Sequence, residues 1–474
     1  MPMQGAARLS SMLLAVSLAG CMVARDYKRP PIEVPENFRF YNAKAKPVAP
    51  ARWWEQFGDP ALTAAIRTAL ERNLDMRIAT AALLEFQAIY VGTGAAALPQ
   101  VSVTASGSRA EAGQVITETY QGALNLGWEI DFWGRIRHLS KAAYADLLGR
   151  EQARRAVVLT LVSSVARSYI ELRELDRRLE IAQRTLESRR ESQRLAALQY
   201  KAGLISELEL KQVESEYQGT VSIVQQLEQL EAQKENELSI LMGRNSGPIQ
   251  RGRSLEAIAL PAVPAGLPSE LLERRPDLLQ AEQDLIAANA RVDAARASLF
   301  PTISLTAAYG VASLELSKLF SGPSRAWSFG PSIAVPIFSG GRLSAQVDAA
   351  EARREQAVAR YQKAVQSAFR ETEDALVAVT KIFAQKDAQA AQVGTLRRYA
   401  YLAKLRYDNG VTSSLEVLDS QRGLLTAELG LAQLQSAELL AIVNLYRVLG
   451  GDWGVDGAPV AKESRSSGSL LFRR

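Results

Sequence analysis

The sequence predicts a mainly α-helical protein with a β-barrel part, built from one structural unit that occurs twice in the chain. Three observations point to this fold class: an internal repeat, four short segments of alternating polarity, and two proline-free helical stretches of about 65 residues. The repeat has a nearly constant offset, because Tyr200-Lys-Ala-Gly203 returns as Tyr407-Asp-Asn-Gly410, and 410 − 203 = 207. Other pairs at this offset are Gly134 with Gly341, Arg135 with Arg342, and Gly243 with Gly450.

The order of elements is predicted to be the same in each repeat: helix, two strands, very long helix, turn, returning helix. We expect the first repeat over residues 53–260 and the second over residues 261–452, with a flexible tail over 453–474. Asp59-Pro60 is typical of a helix start, and Leu98-Pro99 stops the opening helix, which should cover Ala61 to Ala97. The other predicted helices run from Arg135 to about Gln199, from Glu207 to Met242, and from Arg342 to about Arg406.

The N-terminus resembles a bacterial lipoprotein signal. Leu9 to Leu18 is a short apolar stretch behind Arg8, too brief to span a bilayer, and it ends in Leu18-Ala19-Gly20-Cys21. This ending resembles a lipobox, which implies a signal peptide over residues 1–20 and a mature chain whose first residue, Cys21, carries a covalent lipid. Residues 21–52 hold five prolines and read as an extended leader: Pro30, Pro31, Pro35, Pro47 and Pro50.

Composition argues against nucleic-acid binding and against an enzyme. The net charge is +5, but acids and bases alternate along helices, as in Glu171 to Arg178, which is typical of a solvated helix face. The single cysteine is the predicted lipid site, and the single histidine, His138, is predicted to be a surface or interfacial residue. Glycine-rich phosphate loops and spaced metal ligands are not found. We therefore predict no catalytic residue, no metal, and no cofactor besides the lipid on Cys21.

Four segments alternate apolar and polar side chains at period two over six to eleven residues, and with their flanking residues each approaches the roughly ten residues that a tilted membrane strand needs. They are Val101 to Ser106, Tyr120 to Ile130, Thr302 to Tyr309, and Trp327 to Val335. Aromatic residues lie mostly toward their ends, where interfacial girdles are found. A half-buried sheet of a soluble protein would show the same alternation, but the equivalent positions of the segments in the two repeats favour membrane strands.

Four strands in a bilayer require more than one copy of the chain, because an open sheet edge would leave backbone groups unpaired in lipid. Two copies would give eight strands, with an interior filled by side chains, whereas three would give twelve strands and a usable lumen. The alternatives from another class are a rigid helical scaffold with a soluble sheet and a periplasmic helical adaptor.

The chain resembles the TolC family of outer membrane factors, specifically its lipidated NodT-type branch, from Cys21 to about Gly451. The motifs that carry the resemblance are Trp53-Trp54 with Phe57-Gly58-Asp59-Pro60, Arg274-Arg275-Pro276-Asp277 with Ala281-Glu282, Phe300-Pro301, and the two Tyr-x-x-Gly turns.

The resemblance implies a homotrimer whose twelve-stranded barrel in the outer membrane is continuous with a twelve-helix tunnel in the periplasm. Such a trimer would passively conduct small molecules, including drugs, to the exterior. An inner-membrane transporter of the RND type would supply them through a periplasmic adaptor, or membrane fusion protein. The alternative within this fold is the outer membrane duct of a type I protein secretion system.

The turn at Gly410 is the candidate functional site. Glycine permits the tight reversal there, and Glu416 and Asp419 lie three residues apart, on one face of the following helix. Three copies around an axis would stack these carboxylates into rings that favour cations and narrow an entrance. The alternative interpretation of the two acids is a solvated helix face.

Further site residues follow from the resemblance alone. Residues that match Leu415 and Asp419 form the periplasmic constriction in related proteins. Those that match Arg406 and Tyr407 hold it shut through partners on the first hairpin, where Glu209 is the corresponding acid. Glu209 stands where the family often has Asp, and Thr412 replaces an Arg of some relatives. The residues expected to meet the adaptor are Gly203, Ser206, Leu208, Gly410, Ser413 and Leu415.

Overall fold

The structure, a computed structural model, describes residues 27–35, 38–39, 52–261 and 268–451. The predicted signal peptide, the lipobox with Cys21 and the predicted tail over 453–474 lie outside the described residues.

The described residues of the first half form four α-helices and two strands in the predicted order. These are α1 (Pro60–Arg72), α2 (Leu74–Ala95), β1 (Gln100–Ala112), β2 (Val115–Ile130), α3 (Arg135–Lys201) and α4 (Glu207–Leu241). A short 3-10 helix, Trp53–Phe57, precedes them.

The second half repeats this order. Its elements are α5 (Pro268–Arg274), α6 (Pro276–Ala297), β3 (Thr302–Ser313), β4 (Arg325–Ala334), α7 (Arg342–Asp408) and α8 (Ser414–Val448). The long helices α3 and α7 each have 67 residues, and the returning helices α4 and α8 each have 35. The four predicted strands and the predicted hairpin helices are therefore confirmed, and β1 and β2 extend further toward their connecting turn than the alternation indicated.

The prediction of a single opening helix from Ala61 to Ala97 is wrong at Asn73. This residue has ψ 136°, which is not helical, and it separates α1 from α2. Its side-chain amide donates a hydrogen bond of 3.0 Å to the carbonyl oxygen of Leu241 at the end of α4. The break thus depends on a contact with a distant segment, which local sequence periodicity does not reveal. The predicted start is correct, because the Asp59 carboxylate accepts hydrogen bonds from the backbone N–H groups of Ala61 and Leu62.

The strands form one antiparallel sheet in the order β1-β2-β3-β4. The two halves of the chain meet in its centre, where β2 pairs with β3 in a register that places Leu124 opposite Tyr309. The outer strands β1 and β4 form the two edges. Both edge strands carry large, exposed apolar side chains: Val103 on β1 is 78% exposed and Trp327 on β4 is 77% exposed. A single sheet in one chain leaves this apolar surface uncovered.

The fold divides into two compact units, and each unit takes segments from both halves. The first comprises the described parts of residues 1–35, 74–157 and 276–370, and the second those of 36–73, 158–275 and 371–474. In the first unit, alanines of α3 and α6 form a tight cluster: Ala142, Ala145, Ala287 and Ala290. In the second unit, α3 and α8 pack through Ile181, Leu425 and Ala432.

In the part of the chain that the structure describes, helix α2 has no buried residue, and several of its apolar side chains are exposed. Leu74, Ile78, Leu84 and Val91 are each at least 60% exposed. By length and composition alone, the helical stretch 60–95 could cross a membrane, although core helices and signal sequences satisfy the same criterion. The stretch contains two helices broken at Asn73, and the apolar residues of α2 listed above are exposed.

Candidate functional site

The predicted site lies at the two turns that join α3 to α4 and α7 to α8, which we call tip 1 (residues 200–209) and tip 2 (residues 407–416). Tip 1 turns at Gly203, which has φ 74°, a left-handed conformation that favours glycine. Ser206 is the N-cap of α4, and its hydroxyl accepts a 3.3 Å hydrogen bond from the backbone N–H of Glu209. The Glu209 carboxylate in turn accepts a 2.9 Å bond from the backbone N–H of Ser206. Tip 1 therefore has a complete capping box.

Tip 2 has the same backbone turn but a different set of side-chain contacts. Gly410 has φ 71°, and Ser413 occupies the N-cap position of α8 without making a side-chain capping bond. Glu416, which is equivalent to Glu209, accepts a 3.0 Å hydrogen bond from Nη1 of Arg406 and another from the hydroxyl of Thr412. The carboxylate of tip 2 is therefore bound to the end of α7 and to the turn, and not to its own N-cap.

The other predicted gate residues differ in exposure in the single chain. Leu415 is 53% exposed and the Asp419 side chain is 67% exposed, whereas Tyr407 is half-buried. Asp419 lies 4.0 Å from Arg422 of the same helix, a spacing that contributes little. These residues are free to meet another molecule or another copy of the chain.

Arg406 and Glu209 each have a partner in their own hairpin. Arg406 bonds Glu416, and Glu209 bonds Ser206. The pairing of Arg406 and Tyr407 with the first hairpin, which the family resemblance implies, stays a prediction. Of the residues predicted to meet an adaptor, Leu208 is 68% exposed at tip 1 and Leu415 is the equivalent exposed leucine at tip 2.

Two carboxylates join the hairpins to each other, and the sequence did not predict them. Glu428 on α8 accepts hydrogen bonds of 2.9 and 2.7 Å from Arg397 on α7, and it is 3.3 Å from Arg184 on α3. Glu216 on α4 is 2.8 Å from Arg189 on α3. The same Glu216 is 3.3 Å from Arg422 on α8. Each returning helix thus holds an acid that contacts both hairpins.

These connections are partly buried. The Glu428 side chain is 10% exposed and that of Arg189 is 6% exposed. Burial lowers the pKa of Arg189 from its ordinary value, while Glu216 opposes this shift. Removal of one partner from such a pair is far more destabilising than the net contribution of the intact pair, because a charge is left buried. Apolar contacts support the same junction: Leu418 of α8 packs on Ala196, Leu210 and Val213 of the first hairpin.

A groove of about 640 Å³ lies between the hairpins above the tips. Its walls include Arg184 and Arg189 from α3, Arg397 and Lys404 from α7, and Glu428 from α8. Helical spacing alone could not identify this arrangement, because the contacting residues are up to 244 positions apart. The only available signal was that their helices belong to a repeat and must therefore pack side by side.

Among the described residues, no group of three or more histidine, cysteine, aspartate or glutamate side chains could hold a metal ion. His138 is half-buried at the start of α3, and its Nδ1 lies 4.0 Å from Asp293 of α6. Burial lowers the pKa of His138, although Asp293 acts in the opposite direction.

Comparison with known proteins identifies the family. The family model described as outer membrane efflux protein matches residues 65–244 and 267–451. The chain belongs to the outer membrane efflux protein family. The match falls in two segments, one in each repeat, and together they cover most of the chain.

Individual relatives of this efflux protein are similar over nearly their whole length. The antibiotic efflux pump outer membrane protein ArpC of Pseudomonas putida is 37% identical over 461 residues, covering 94% of this chain and 95% of the relative. The cation efflux system protein CusC of Escherichia coli K12 is 36% identical over 454 residues, covering 94% and 99%.

Solved structures have the same fold. The crystal structure of the open state of the MtrE outer membrane channel of Neisseria gonorrhoeae superimposes with a TM-score of 0.82 at 31% identity, covering 91% of this chain and 98% of that one. The predicted outer membrane location and the predicted role in efflux are confirmed, and this efflux protein is related to channels and efflux components.

Proposed function

We propose that this efflux protein is the outer membrane duct of a tripartite efflux system. It conducts small molecules passively, including drugs and toxic compounds, from an inner-membrane pump of the RND type and a periplasmic adaptor to the cell exterior. The names of its relatives, which refer to antibiotic and cation efflux, support this class of cargo. The energy for transport comes from the pump in this proposal.

The observation that carries the proposal is the four-stranded sheet with two open edges, β1 and β4. A sheet with free edges is unsuited to lipid, because each unpaired backbone group costs several kcal/mol there. Three copies give twelve strands with a lumen, together with twelve hairpin helices from α3, α4, α7 and α8. The exposed apolar face of α2 supports a homotrimer as well, because a neighbouring copy would cover it.

The proposed gate is the set of tip residues around the threefold axis. Leu415 and Asp419 form the narrowest rings, Glu416 adds a second acidic ring, and the pair of Arg406 and Glu416 holds the end of α7 to the start of α8. Tyr407 and Glu209 complete the gate across hairpins. The adaptor docks on both tips, at Gly203, Ser206, Leu208, Gly410 and Ser413, whose exposure in the single chain supports this role.

We further propose that residues 1–20 are removed as a signal peptide and that the new N-terminus, Cys21, is acylated. Mass spectrometry of the purified protein tests this directly. The mature chain should begin at Cys21 with a lipid mass increment, and the Cys21→Ser protein should lack it. A lipid increment on the Cys21→Ser protein would contradict the proposal.

Dye accumulation in cells tests the function as a whole. A strain that lacks this protein should accumulate an efflux dye, and the full-length protein should restore efflux only when its pump and adaptor are present. If the strain that lacks this protein accumulates no more dye than the wild type but fails to release a secreted protein into the medium, the protein is the duct of a type I secretion system instead.

A further inference from the structure

Two described residues of the leader, Tyr27 and Arg29, bind the same carboxylate of the first unit, that of Glu282 on α6. Arg29 donates two hydrogen bonds to it, from Nε to Oε1 and from Nη2 to Oε2, each 2.7 Å long. The hydroxyl of Tyr27 donates a third, 3.2 Å long, to Oε1. Two parallel bonds from one guanidinium are the strongest and most directional way to hold a carboxylate.

This contact is partly shielded from water. The Glu282 side chain is 11% exposed, against 43% for Arg29, and the nearby Tyr361 of α7 is 1% exposed. The hydrogen bond to Glu282 raises the pKa of Arg29, and burial, reinforced by Glu282, raises the pKa of Tyr27. Both side chains therefore stay in the donor form. Loss of this guanidinium would leave a largely buried carboxylate without its cation, which is unfavourable.

The leader is well suited to dock as a preformed segment. Pro30, Pro31 and Pro35 follow the two contact residues, and each proline fixes one backbone angle. Fewer conformations are therefore lost on docking than for an ordinary chain of this length.

Docking at Glu282 changes the length of chain that separates Cys21 from the folded protein. With the contact in place the separation is 27 − 21 = 6 residues. Further along the described leader, Phe38 is 5% exposed and the backbone N–H of Arg39 donates a hydrogen bond to Glu373, so without the Glu282 contact the separation grows to as many as 38 − 21 = 17 residues. These lengths limit the reach to about 20 Å and about 60 Å respectively.

We propose that Tyr27 and Arg29 form a strap that binds Glu282 and thereby holds the lipid-bearing end of the chain close to the unit that contains the membrane strands. The clamp itself stands independently, whereas its consequence for membrane insertion rests on the acylation of Cys21 proposed above. A shorter linker raises the effective concentration of the strands at the lipid surface. The increase is about fivefold for a threefold difference in length, because effective concentration falls roughly as the −3/2 power of linker length.

Proteolysis of the leader tests the clamp. A lysine-specific protease cuts after the exposed Lys28 only when the segment leaves Glu282. The variants Arg29→Met and Glu282→Gln should each be cut about tenfold faster than the wild type, and the double variant no faster than either one. Arg29→Lys should lie between, because it keeps the charge but loses the two-pronged geometry. Arg291→Met is the matched control, since it removes a charged pair of α6 with Asp146 that does not touch the leader.

Cleavage of both single variants at the wild-type rate would overturn the clamp. A double variant cut about a hundredfold faster than the wild type would also overturn it, because the two substitutions would then act independently. The same assay on the Cys21→Ser protein separates the two proposals. Unchanged protection of Lys28 in that protein keeps the clamp even if acylation proves wrong.

Insertion kinetics test what the clamp does. When the acylated protein is mixed with outer membrane lipid vesicles, Arg29→Met should slow the appearance of protease-resistant strands about fivefold. In the Cys21→Ser background, Arg29→Met should have no effect on this rate. Equal rates for acylated wild type and Arg29→Met would overturn the tethering role.

Discussion

Tip 1 and tip 2 share one pattern, Tyr-x-x-Gly-x-x-Ser-x-x-Glu, yet their glutamates make different contacts. Glu209 closes a capping box with Ser206, while Glu416 binds Arg406 and Thr412. The sequence explains the difference, since the positions equivalent to Arg406 and Thr412 in tip 1 are Gln199 and Ile205, which offer no cation and no hydroxyl.

The comparison shows that the repeat is preserved in the backbone but not in the charges. The start of α4 is held by local hydrogen bonds between Ser206 and Glu209 that involve no cation, whereas the start of α8 is held by an exposed ion pair to the preceding helix. An exposed pair is weaker and depends on salt. We therefore expect the start of α8 at tip 2 to be more easily displaced than the start of α4 at tip 1.

The largest effect is expected when the ion pair of tip 2 is removed. Arg406→Ala should increase channel conductance, because Glu416 loses the cation that ties α8 to α7. An exposed pair contributes about 0.2–1 kcal/mol per copy, so three copies acting together would shift the ratio of open to closed channels by about 3- to 150-fold. Planar bilayer recordings measure this. Gln199→Ala, the matched change at tip 1, should leave the conductance unchanged, and an equal increase there would remove the distinction between the tips.

Loss of the capping serines should have unequal effects on the two helices. Ser206→Ala should destabilise the first turn of α4 by about 1 kcal/mol, because it breaks the capping box. Ser413→Ala should change the first turn of α8 by less than about 0.5 kcal/mol, because its side chain makes no capping bond. Hydrogen exchange of the backbone amides in these two turns is the measurement. Equal losses of protection would show that the tips are capped alike in solution.

Replacement of two tip 2 residues by their tip 1 equivalents should give tip 2 the capping box of tip 1. In Arg406→Gln/Thr412→Ile, Glu416 loses both present partners and becomes available to the backbone N–H of Ser413, as Glu209 is to Ser206. We expect the first turn of α8 to gain protection from exchange, by an amount that approaches but does not exceed about 1 kcal/mol. Arg398→Gln, one turn or more away from the tip contacts, serves as the charge control. If α8 loses protection in this double variant, the partners of Glu416 do not compete with capping.

The smallest expected effect is a difference in salt dependence between the ion pair of tip 2 and the capping box of tip 1. Between 0.1 M and 1 M KCl the screening length falls from about 10 Å to about 3 Å, so the difference between wild type and Arg406→Ala should shrink. The difference in hydrogen exchange between wild type and Ser206→Ala should stay the same, because that cap contains no ion pair. A salt-independent effect of Arg406→Ala would mean that it acts by packing and not by charge.

The sequence predicted the parts of the fold that depend on local rules. Glycines at 203 and 410 marked the tips because their backbone must be left-handed, and alternation marked the strands because one face differs from the other. The break at Asn73 was missed, since it depends on the carbonyl of Leu241.

The candidate site was predicted in position but not in its contacts. Glu416 was identified by its spacing from Asp419, yet its partner Arg406 lies ten residues away, across the turn. Alignment of the two tips could have revealed this, because Arg406 and Thr412 are where the repeats differ. The carboxylates Glu216 and Glu428 could not be found in this way, since their partners belong to helices whose neighbours only the fold defines.

Single-channel conductance of the purified protein in a planar bilayer tests the central claim, a duct whose constriction lies at tip 2. The wild type should show a small conductance that favours cations, and Glu416→Ala/Asp419→Ala should raise the conductance and reduce the cation preference. A control with the same loss of charge is Glu187→Ala/Asp387→Ala, because these carboxylates are 72% and 78% exposed on the shafts of the hairpins. If the control variant conducts like the wild type while the tip variant conducts more, the constriction lies at tip 2. If the tip variant conducts no better than the wild type, the constriction lies elsewhere in the protein.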